Sequence, residues 1–280
     1  MRELYAARRL SEGYPDLERL AFERYAARQK ARPDDTGRVE HLLELLNRLV
    51  DLQPPKRVVV VGCGPWPQPV KILLEKNYHV HGVEPVESFV SSAAEYLGAE
   101  DVVLQGAAED IPLPDASQHL ALFESVLEHV DSPSMSLSEL YRVLAPGGVL
   151  FLTTTNRLRF SLVGRNGEYH VRYFNFLPPL VRESFVFRHL HYDPALANFT
   201  ERPAVHWFSY SDLCRLGREA GFAKFYSPID LMRPNDRPVG KASRFRAFAR
   251  SWLVRVVRRS AWVRALVLTQ RGESIIMLKR

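Results

Sequence analysis

Short apolar runs alternate with amphipathic stretches along most of the chain. Seven apolar runs have the length of short buried strands and occupy residues 57–61, 78–83, 102–104, 119–123, 149–153, 224–227 and 274–278. Between these runs, apolar residues recur at helical spacing at 70–76, 88–97 and 137–144 and after Ser211. In the last of these predicted helices, Ser211 could be the N-cap and Gly221 could end the helix. The alternation predicts an α/β fold with a doubly wound, mostly parallel seven-stranded sheet covered by helices on both faces.

Two departures from this rhythm divide the chain into four segments. Residues 1–53 carry an apolar stripe at helical spacing before Pro54 and predict an N-terminal helical cap, followed by the core at 54–156. Residues 157–205 are rich in aromatic residues, Arg, His and Pro without a clear period, which favours a lid or substrate-binding insertion. Residues 206–280 complete the core and contain a basic amphipathic helical insertion at 241–272.

The composition excludes several classes of protein. The chain has 280 residues, 46% of them apolar and 25% charged, which fits one α/β domain with decorations. Two cysteines cannot form a disulfide framework, and no Cys/His cluster has the spacing of a metal site. No apolar signal-peptide region opens the sequence and no apolar stretch reaches the length of a membrane span. We therefore expect a cytoplasmic protein without a metal.

The positive charge is concentrated in one segment. The formal net charge is +6, yet residues 241–272 contain nine Lys and Arg and no acidic residue, so the rest of the chain is net acidic. This distribution gives no support for nucleic-acid binding. Within the basic segment, residues 243–268 mix Arg with Phe, Trp, Val and Leu. This pattern fits a helix that lies on an anionic membrane surface, and it equally fits a helix that packs on the sheet edge with its arginines in solvent. Both interpretations stay open, and peripheral membrane contact is one expectation.

A glycine turn follows the first predicted strand, in the sequence VVVVGCGPWPQP. Gly62 and Gly64 allow a ligand to approach the backbone closely, and Glu84, 20 residues after Gly64, ends the next strand where an acidic side chain can bind ribose hydroxyls. A dinucleotide site needs glycine or alanine at the third motif position, where this chain has Pro67. Prolines here remove N–H donors that a pyrophosphate requires, so a nicotinamide-dependent oxidoreductase is disfavoured.

Several ordered motifs carry a resemblance to a known family. They are VVVVGCG, GVEP, GAAEDIPLPD, LFESVLEHV and LYRVLAPGGVLFLTTTN, over residues 56–156, with a weaker echo in HWFSYSDLCRLGREAGF. In these motifs the chain resembles the class I S-adenosylmethionine-dependent methyltransferases, closest to the group that includes the ubiquinone and menaquinone biosynthesis enzymes. The resemblance implies a Rossmann-like methyltransferase fold, S-adenosylmethionine as the cofactor and methyl transfer as the activity.

The resemblance also implies a set of cofactor-binding residues. Gly62, Cys63 and Gly64 would lie against the methionine part, Glu84 would hold the ribose and Pro85 would lie against the adenine. The adenine edge would be lined by Ala108, Glu109 and Asp110, and the pocket near the sulfonium by Glu124 and Ser125. Position 107 departs from the family because it holds alanine instead of the usual aspartate, and Pro67 replaces a glycine. These departures leave open a non-catalytic cofactor-binding or scaffold protein.

Two histidines are candidates for a general base. The family motif places His129 near the methyl end of the cofactor, although a His in the turn after a strand can also be structural. His206 follows the insertion, where a surface residue before a helix cap is the alternative. His170, His189 and His191 fall in the insertion. The predicted function is methyl transfer to oxygen on a small organic, glycan or lipid-linked acceptor, and the sequence sets no oligomeric state.

Overall fold

A seven-stranded sheet forms the centre of the computed structural model, which describes residues 34–159, 173–186, 204–233 and 273–280 and the positions 27, 30, 31, 169, 171, 236, 254–257, 259, 260 and 263. The strands are β1 (Arg57–Val61), β2 (His79–Glu84), β3 (Val103–Gln105), β4 (Gln118–Glu124), β5 (Leu144–Thr154), β6 (Lys224–Tyr226) and β7 (Glu273–Leu278). Their order is β3-β2-β1-β4-β5-β7-β6. Strand β7 runs antiparallel to both of its neighbours, β5 and β6, whereas the other described strand pairs are parallel, so the predicted mostly parallel sheet is confirmed.

Helices cover both faces of this sheet. The described helices are α1 (Thr36–Leu46), α2 (Gln68–Glu75), α3 (Glu87–Leu97), α4 (Pro133–Val143), α5 (Pro179–Phe185), α6 (Tyr210–Ala220) and α7 (Pro228–Leu231), and a 3-10 turn spans Phe174–Phe176. Leu137 of α4 and Leu213 of α6 belong to the apolar cluster on one face, whereas Leu46 of α1 and Leu73 of α2 belong to the cluster on the other. Burying a leucine side chain of this kind contributes roughly 1.5–3 kcal/mol.

The boundary between α4 and β5 differs from the prediction. Helix α4 already begins at Pro133, because Ser132 is its N-cap and proline suits the first helical turn, and it ends at Val143. Strand β5 starts at Leu144 and includes the Pro-Gly-Gly stretch, where the register with β4 shifts between Gln118 and Leu120. The predicted helix of 137–144 was therefore too short at its start, and the strand predicted from 149 begins earlier.

The start of α6 also corrects the prediction. Ser209, and not Ser211, is the N-cap: its Oγ accepts a hydrogen bond from the Asp212 N–H at 3.2 Å, and the Asp212 carboxylate accepts one from the Ser209 N–H at 2.9 Å. This reciprocal pair is a capping box. The predicted C-terminal end is confirmed, because Gly221 caps α6 in the left-handed conformation at φ +108°.

Part of the basic segment can be placed. Most of residues 243–268 lie outside the described residues, but Val254 and Val257 are buried, whereas Arg255 and Arg259 are exposed. Over the described ranges, none of the helices has both the length and the apolar character that a membrane crossing requires.

Candidate functional site

The strand order creates a crevice between β1 and β4. After β1 the chain builds outward to β2 and β3, and it then returns to place β4 on the other side of β1. In open α/β sheets, ligands bind at the carboxyl ends of the strands where the order reverses in this way. Gly62, Glu84 and Ser125 follow or end the three strands at this edge, so the fold brings these predicted residues together.

The glycine turn after β1 needs glycine for two reasons. Gly62 and Gly64 both have φ +70°, a left-handed conformation that costs other residues about 1–2 kcal/mol. A Cβ on Gly62 would also lie 2.3 Å from Cγ2 of Val126. The turn is held to β2 because the Gly62 N–H donates to the Val83 carbonyl oxygen at 2.7 Å. The backbone is therefore fixed at the mouth of the crevice.

Glu84 ends β2 with a buried and oriented carboxylate. Glu84 is 5% exposed, and its Oε2 accepts a hydrogen bond from the Gly64 N–H at 3.0 Å. The Val86 N–H donates to Oε1 at 3.3 Å. Burial, followed by the nearby Glu84 charge, raises the pKa of the Cys63 thiol, which keeps Cys63 protonated and apolar in character. Pro85 is exposed beside this carboxylate.

The three residues predicted at the adenine edge have different surroundings. Ala108 is buried, and Asp110 is exposed and bonds through its N–H to the Ala107 carbonyl oxygen at 3.2 Å. The Glu109 carboxylate accepts hydrogen bonds from the N–H groups of Asp131 at 2.8 Å and Ser132 at 3.1 Å. Glu109 thus fixes the loop that leads into α4, and its adenine contact stays a prediction.

Two residues at the end of β4 carry local strain and charge. Ser125 has φ +57°, which is uncommon for a residue other than glycine, and its N–H donates to the Thr153 carbonyl oxygen at 2.9 Å. Glu124 forms an ion pair with Arg38 of α1. Arg38 also forms hydrogen bonds to both carboxylate oxygens of Asp35. Such strained residues are concentrated at ligand sites.

Comparison with known proteins agrees with this geometry. A family model described as a methyltransferase domain matches residues 59–152, which include the glycine turn, Glu84 and the end of β4. Residues 59–152 therefore form a domain that is similar to methyltransferase domains. The family and the fold imply S-adenosylmethionine as the cofactor, and the buried Glu84 beside a glycine turn with positive φ fits such a nucleoside.

The chain is similar to a Mycolicibacterium smegmatis protein named as an S-adenosylmethionine-dependent methyltransferase, with 31% identity over 42% of this chain and 46% of that protein. A demethylmenaquinone methyltransferase of Listeria welshimeri is 25% identical over 63% of this chain and 74% of its own length. The chain spans about a third to a half of the curated relatives that it matches first. The fold is also similar to that of a chain in a solved complex between the Haloferax volcanii Trm112 methyltransferase activator and a methyltransferase. The TM-score is 0.51 at 15% sequence identity, and the match covers 94% of this chain and 97% of that chain.

The two candidate histidines, His129 and His206, are both half-buried. His206 Nε2 lies 2.9 Å from the Val130 carbonyl oxygen. Because a carbonyl only accepts, Nε2 carries the proton and Nδ1 is the basic nitrogen of the neutral ring. The His129 N–H donates to the Val126 carbonyl oxygen at 2.8 Å in the turn after β4. His170, His189 and His191 lie outside the described residues.

Glu128 is a buried carboxyl group in the same turn, and the sequence motifs did not single it out. It is 2% exposed, and burial raises its pKa to about 7 even though the Thr154 hydroxyl donates to its Oε2 at 2.7 Å. Its carbonyl oxygen accepts the Val205 N–H at 2.9 Å, which holds the returning chain against β4. The sequence did contain a signal for a buried acidic residue, since Glu128 lies between the apolar Leu127 and His129 in the LFESVLEHV motif.

The described part of the predicted insertion forms a separate aromatic cluster. It consists of Tyr169, Phe174, Val186 and Ala204 of the insertion together with Trp207, which follows it. The rings of Phe174 and Trp207 meet edge to face with 5.5 Å between centroids. Trp207 immediately follows His206, so the cluster lies next to the segment bound to the β4 turn. Apolar side chains also remain exposed around it: Leu158, Tyr173, Phe176, Leu177, Leu180, Val181 and Phe185.

Proposed function

We propose that the protein is a methyltransferase that binds S-adenosylmethionine at the carboxyl ends of β1, β2 and β4 and transfers its methyl group to an acceptor bound by residues 157–205. The observation that carries the proposal is the buried Glu84 carboxylate, oriented by the Gly64 N–H at 3.0 Å. A carboxylate at this position accepts both hydroxyls of a ribose. When bound, the cofactor supplies a methyl group already activated on a sulfonium.

The residues of the chain then have to bind, orient and exclude water. Gly62 and Gly64 let the backbone approach the amino-acid part of the cofactor, and the charge of Glu124 is balanced by Arg38. In-line displacement at carbon depends mainly on alignment, which can supply up to roughly 7–11 kcal/mol of the barrier. The aromatic cluster supplies an apolar wall beside the acceptor, and a water-poor site strengthens every electrostatic contact within it.

We further propose an oxygen atom as the methyl-accepting position, on a small organic, glycan or lipid-linked molecule. The exposed apolar side chains from Tyr173 to Phe185 support an acceptor with apolar parts. One relative, from Serratia marcescens, is named as a malonyl-[acyl-carrier protein] O-methyltransferase. His206 or His129 would remove the hydroxyl proton during transfer.

Calorimetric titration with S-adenosylhomocysteine tests the cofactor site. We expect micromolar binding by the wild type, at least tenfold weaker binding by Glu84→Ala, and unchanged binding by Glu219→Ala, which alters an exposed carboxylate on α6. NADH is the control ligand and should not bind. Wild-type affinity in Glu84→Ala would refute the assignment of Glu84. Absence of binding to a folded wild-type protein would instead favour the non-catalytic scaffold.

A further inference from the structure

Arg182 of α5 is a buried cation without a described counter-ion. It is 5% exposed, and no carboxylate of the described residues pairs with it. Burial, assisted by the charge of Arg157, lowers the pKa of Arg182 to about 10. Removing a charge from water is costly unless the charge is paired and hydrogen-bonded. The fold therefore maintains a positive charge here that an anion would stabilise.

Two N–H donors near this charge also lack an acceptor. Nε of Arg182 and Nε1 of Trp207 are buried and have no hydrogen-bond partner among the described residues. The guanidinium lies 4.3 Å from the centroid of the Trp207 ring, so the two donors belong to one site. Stacking on the ring compensates part of the desolvation but satisfies neither N–H. Buried donors of this kind are ordinarily hydrogen-bonded in folded proteins, and a bound ion can supply the missing acceptor.

The position of Arg182 is fixed by the chain that leaves β5. Arg182 Nη1 donates to the Asn175 carbonyl oxygen at 3.1 Å. The Asn175 side-chain amide in turn donates to the carbonyl oxygens of Arg157 at 2.8 Å and Arg159 at 2.9 Å. Arg159 adds a third buried donor, Nε, without a described partner. Three arginines are thus grouped just beyond the carboxyl end of β5, next to the edge of the proposed cofactor site.

We propose that Arg182 and Trp207, with Arg159 beside them, bind an anionic group of the methyl acceptor, either a carboxylate or a phosphate. The guanidinium presents paired N–H donors that match both groups, and the indole N–H supplies a further hydrogen bond. Part of this inference rests on the proposed function, because the acceptor role follows from methyl transfer. Anion binding itself stands independently of that activity.

The Trp207 indole provides a direct readout of anion binding. In the ¹⁵N spectrum of the full chain, the resonance of the Trp207 indole N–H is identified as the indole signal that is missing from the spectrum of Trp207→Phe. Sodium acetate and sodium phosphate are titrated separately at constant ionic strength into the wild type, Arg182→Gln and Arg215→Gln. Arg215 is an exposed arginine on α6 and is the matched control. Arg182→Lys keeps the charge without the planar fork and is the second variant if Arg182→Gln does not fold.

We expect a saturable shift of the Trp207 resonance in the wild type and in Arg215→Gln, and at least tenfold weaker binding in Arg182→Gln or Arg182→Lys. Tighter binding of phosphate indicates a phosphorylated acceptor, and tighter binding of acetate indicates a carboxylate. No saturable shift with either anion, or a shift that persists in the Arg182 variants, would overturn the proposal.

Titration of the same samples with S-adenosylhomocysteine separates the two proposals. The wild type and Arg182→Gln should bind it equally, because Arg182 is not one of the proposed cofactor-binding residues. Anion binding without nucleoside binding would leave the anion site intact and refute the proposed methyl transfer. Nucleoside binding without anion binding would refute only the anion site.

Discussion

Arg38 and Glu124 form an ion pair across 86 positions of sequence, with 2.5 Å between Nη1 and Oε2. The pair joins the first described helix to the carboxyl end of β4. A second connection lies nearby, because the Asp35 N–H donates to Oε1 of Gln68 at the start of α2 at 3.2 Å. The N-terminal helix is thus attached to β4 and to the start of α2, the helix that follows the glycine turn.

A double-mutant cycle measures what this pair contributes to stability. We expect Arg38→Gln and Glu124→Gln to show a coupling of about 1 kcal/mol in urea unfolding, since the side chains are 42% and 24% exposed and solvent screens the pair. Asp35 remains available to Arg38 in the Glu124 variant, which limits the loss. A coupling of zero would show that the pair does not hold the helix in place.

Gly62→Ala should destabilise the fold more than Gly98→Ala. Both glycines have nearly the same left-handed φ, +70° and +67°, but a Cβ meets Val126 at position 62 and nothing within 4 Å at position 98. We expect a cost of about 1 kcal/mol at position 98, from conformation alone, and about 1–3 kcal/mol more at position 62 from overpacking. Denaturant midpoints give the comparison, and Val126→Ala should rescue part of the Gly62→Ala loss. Equal costs would contradict the packing argument.

Glu128 should make stability decrease as the pH rises. Burial raises its pKa to about 7, from about 4.3 in the unfolded chain, so the folded state binds more protons between those values. The contribution of this group is fully present below the unfolded pKa and is lost as the pH rises through 7. Glu128→Gln cannot ionise, so we expect it to match the wild type near pH 4 and to exceed its stability by about 3 kcal/mol near pH 8.

Thr154→Val offers an independent check on Glu128. The Thr154 hydroxyl donates to the carboxylate and favours its charged form, so its removal should destabilise the protein more at pH 8 than at pH 5. In the Glu128→Gln background this pH dependence should disappear. Melting temperatures of the four proteins across that range provide the measurement, and pH-independent differences would disprove the assignment.

Ser209→Ala should cost more than Ser211→Ala, because Ser209 is the N-cap of α6. Loss of an N-cap side chain costs about 1 kcal/mol, whereas Ser211 is exposed inside the first turn. Equal losses of stability in urea unfolding would contradict the assignment of Ser209 as the N-cap of α6.

The cap shows where sequence reasoning reached its limit. The alternation of strands and helices predicted the sheet, because burial on both faces leaves a strong apolar signature in strands such as β1. The exact start of α6 depends on which of two nearby serines adopts extended backbone, and Ser209 does so at φ −91° and ψ 164°. Such a local choice is set by the preceding chain as much as by composition.

The site was predictable only where its residues lie close to a motif. Gly62 and Gly64 follow β1 and Glu84 ends the neighbouring β2, so their convergence could be inferred from the spacing. Arg38 could not be inferred, since its partner is 86 positions away and its own segment shows only a helical stripe. Arg182 was equally hidden, because an arginine in an aromatic-rich, aperiodic stretch gives no indication that it is buried.

The place of β7 in the sheet has a consequence for synthesis of the protein. Strand β7 is the last in sequence, yet it lies between β5 and β6 and provides all the described strand pairing of β6. On the ribosome, β5 and β6 therefore emerge long before the strand that joins them. The nascent chain carries open strand edges until residues 273–278 have been translated, and such edges readily pair with other chains. A chaperone bound to the growing polypeptide would be most useful in that interval.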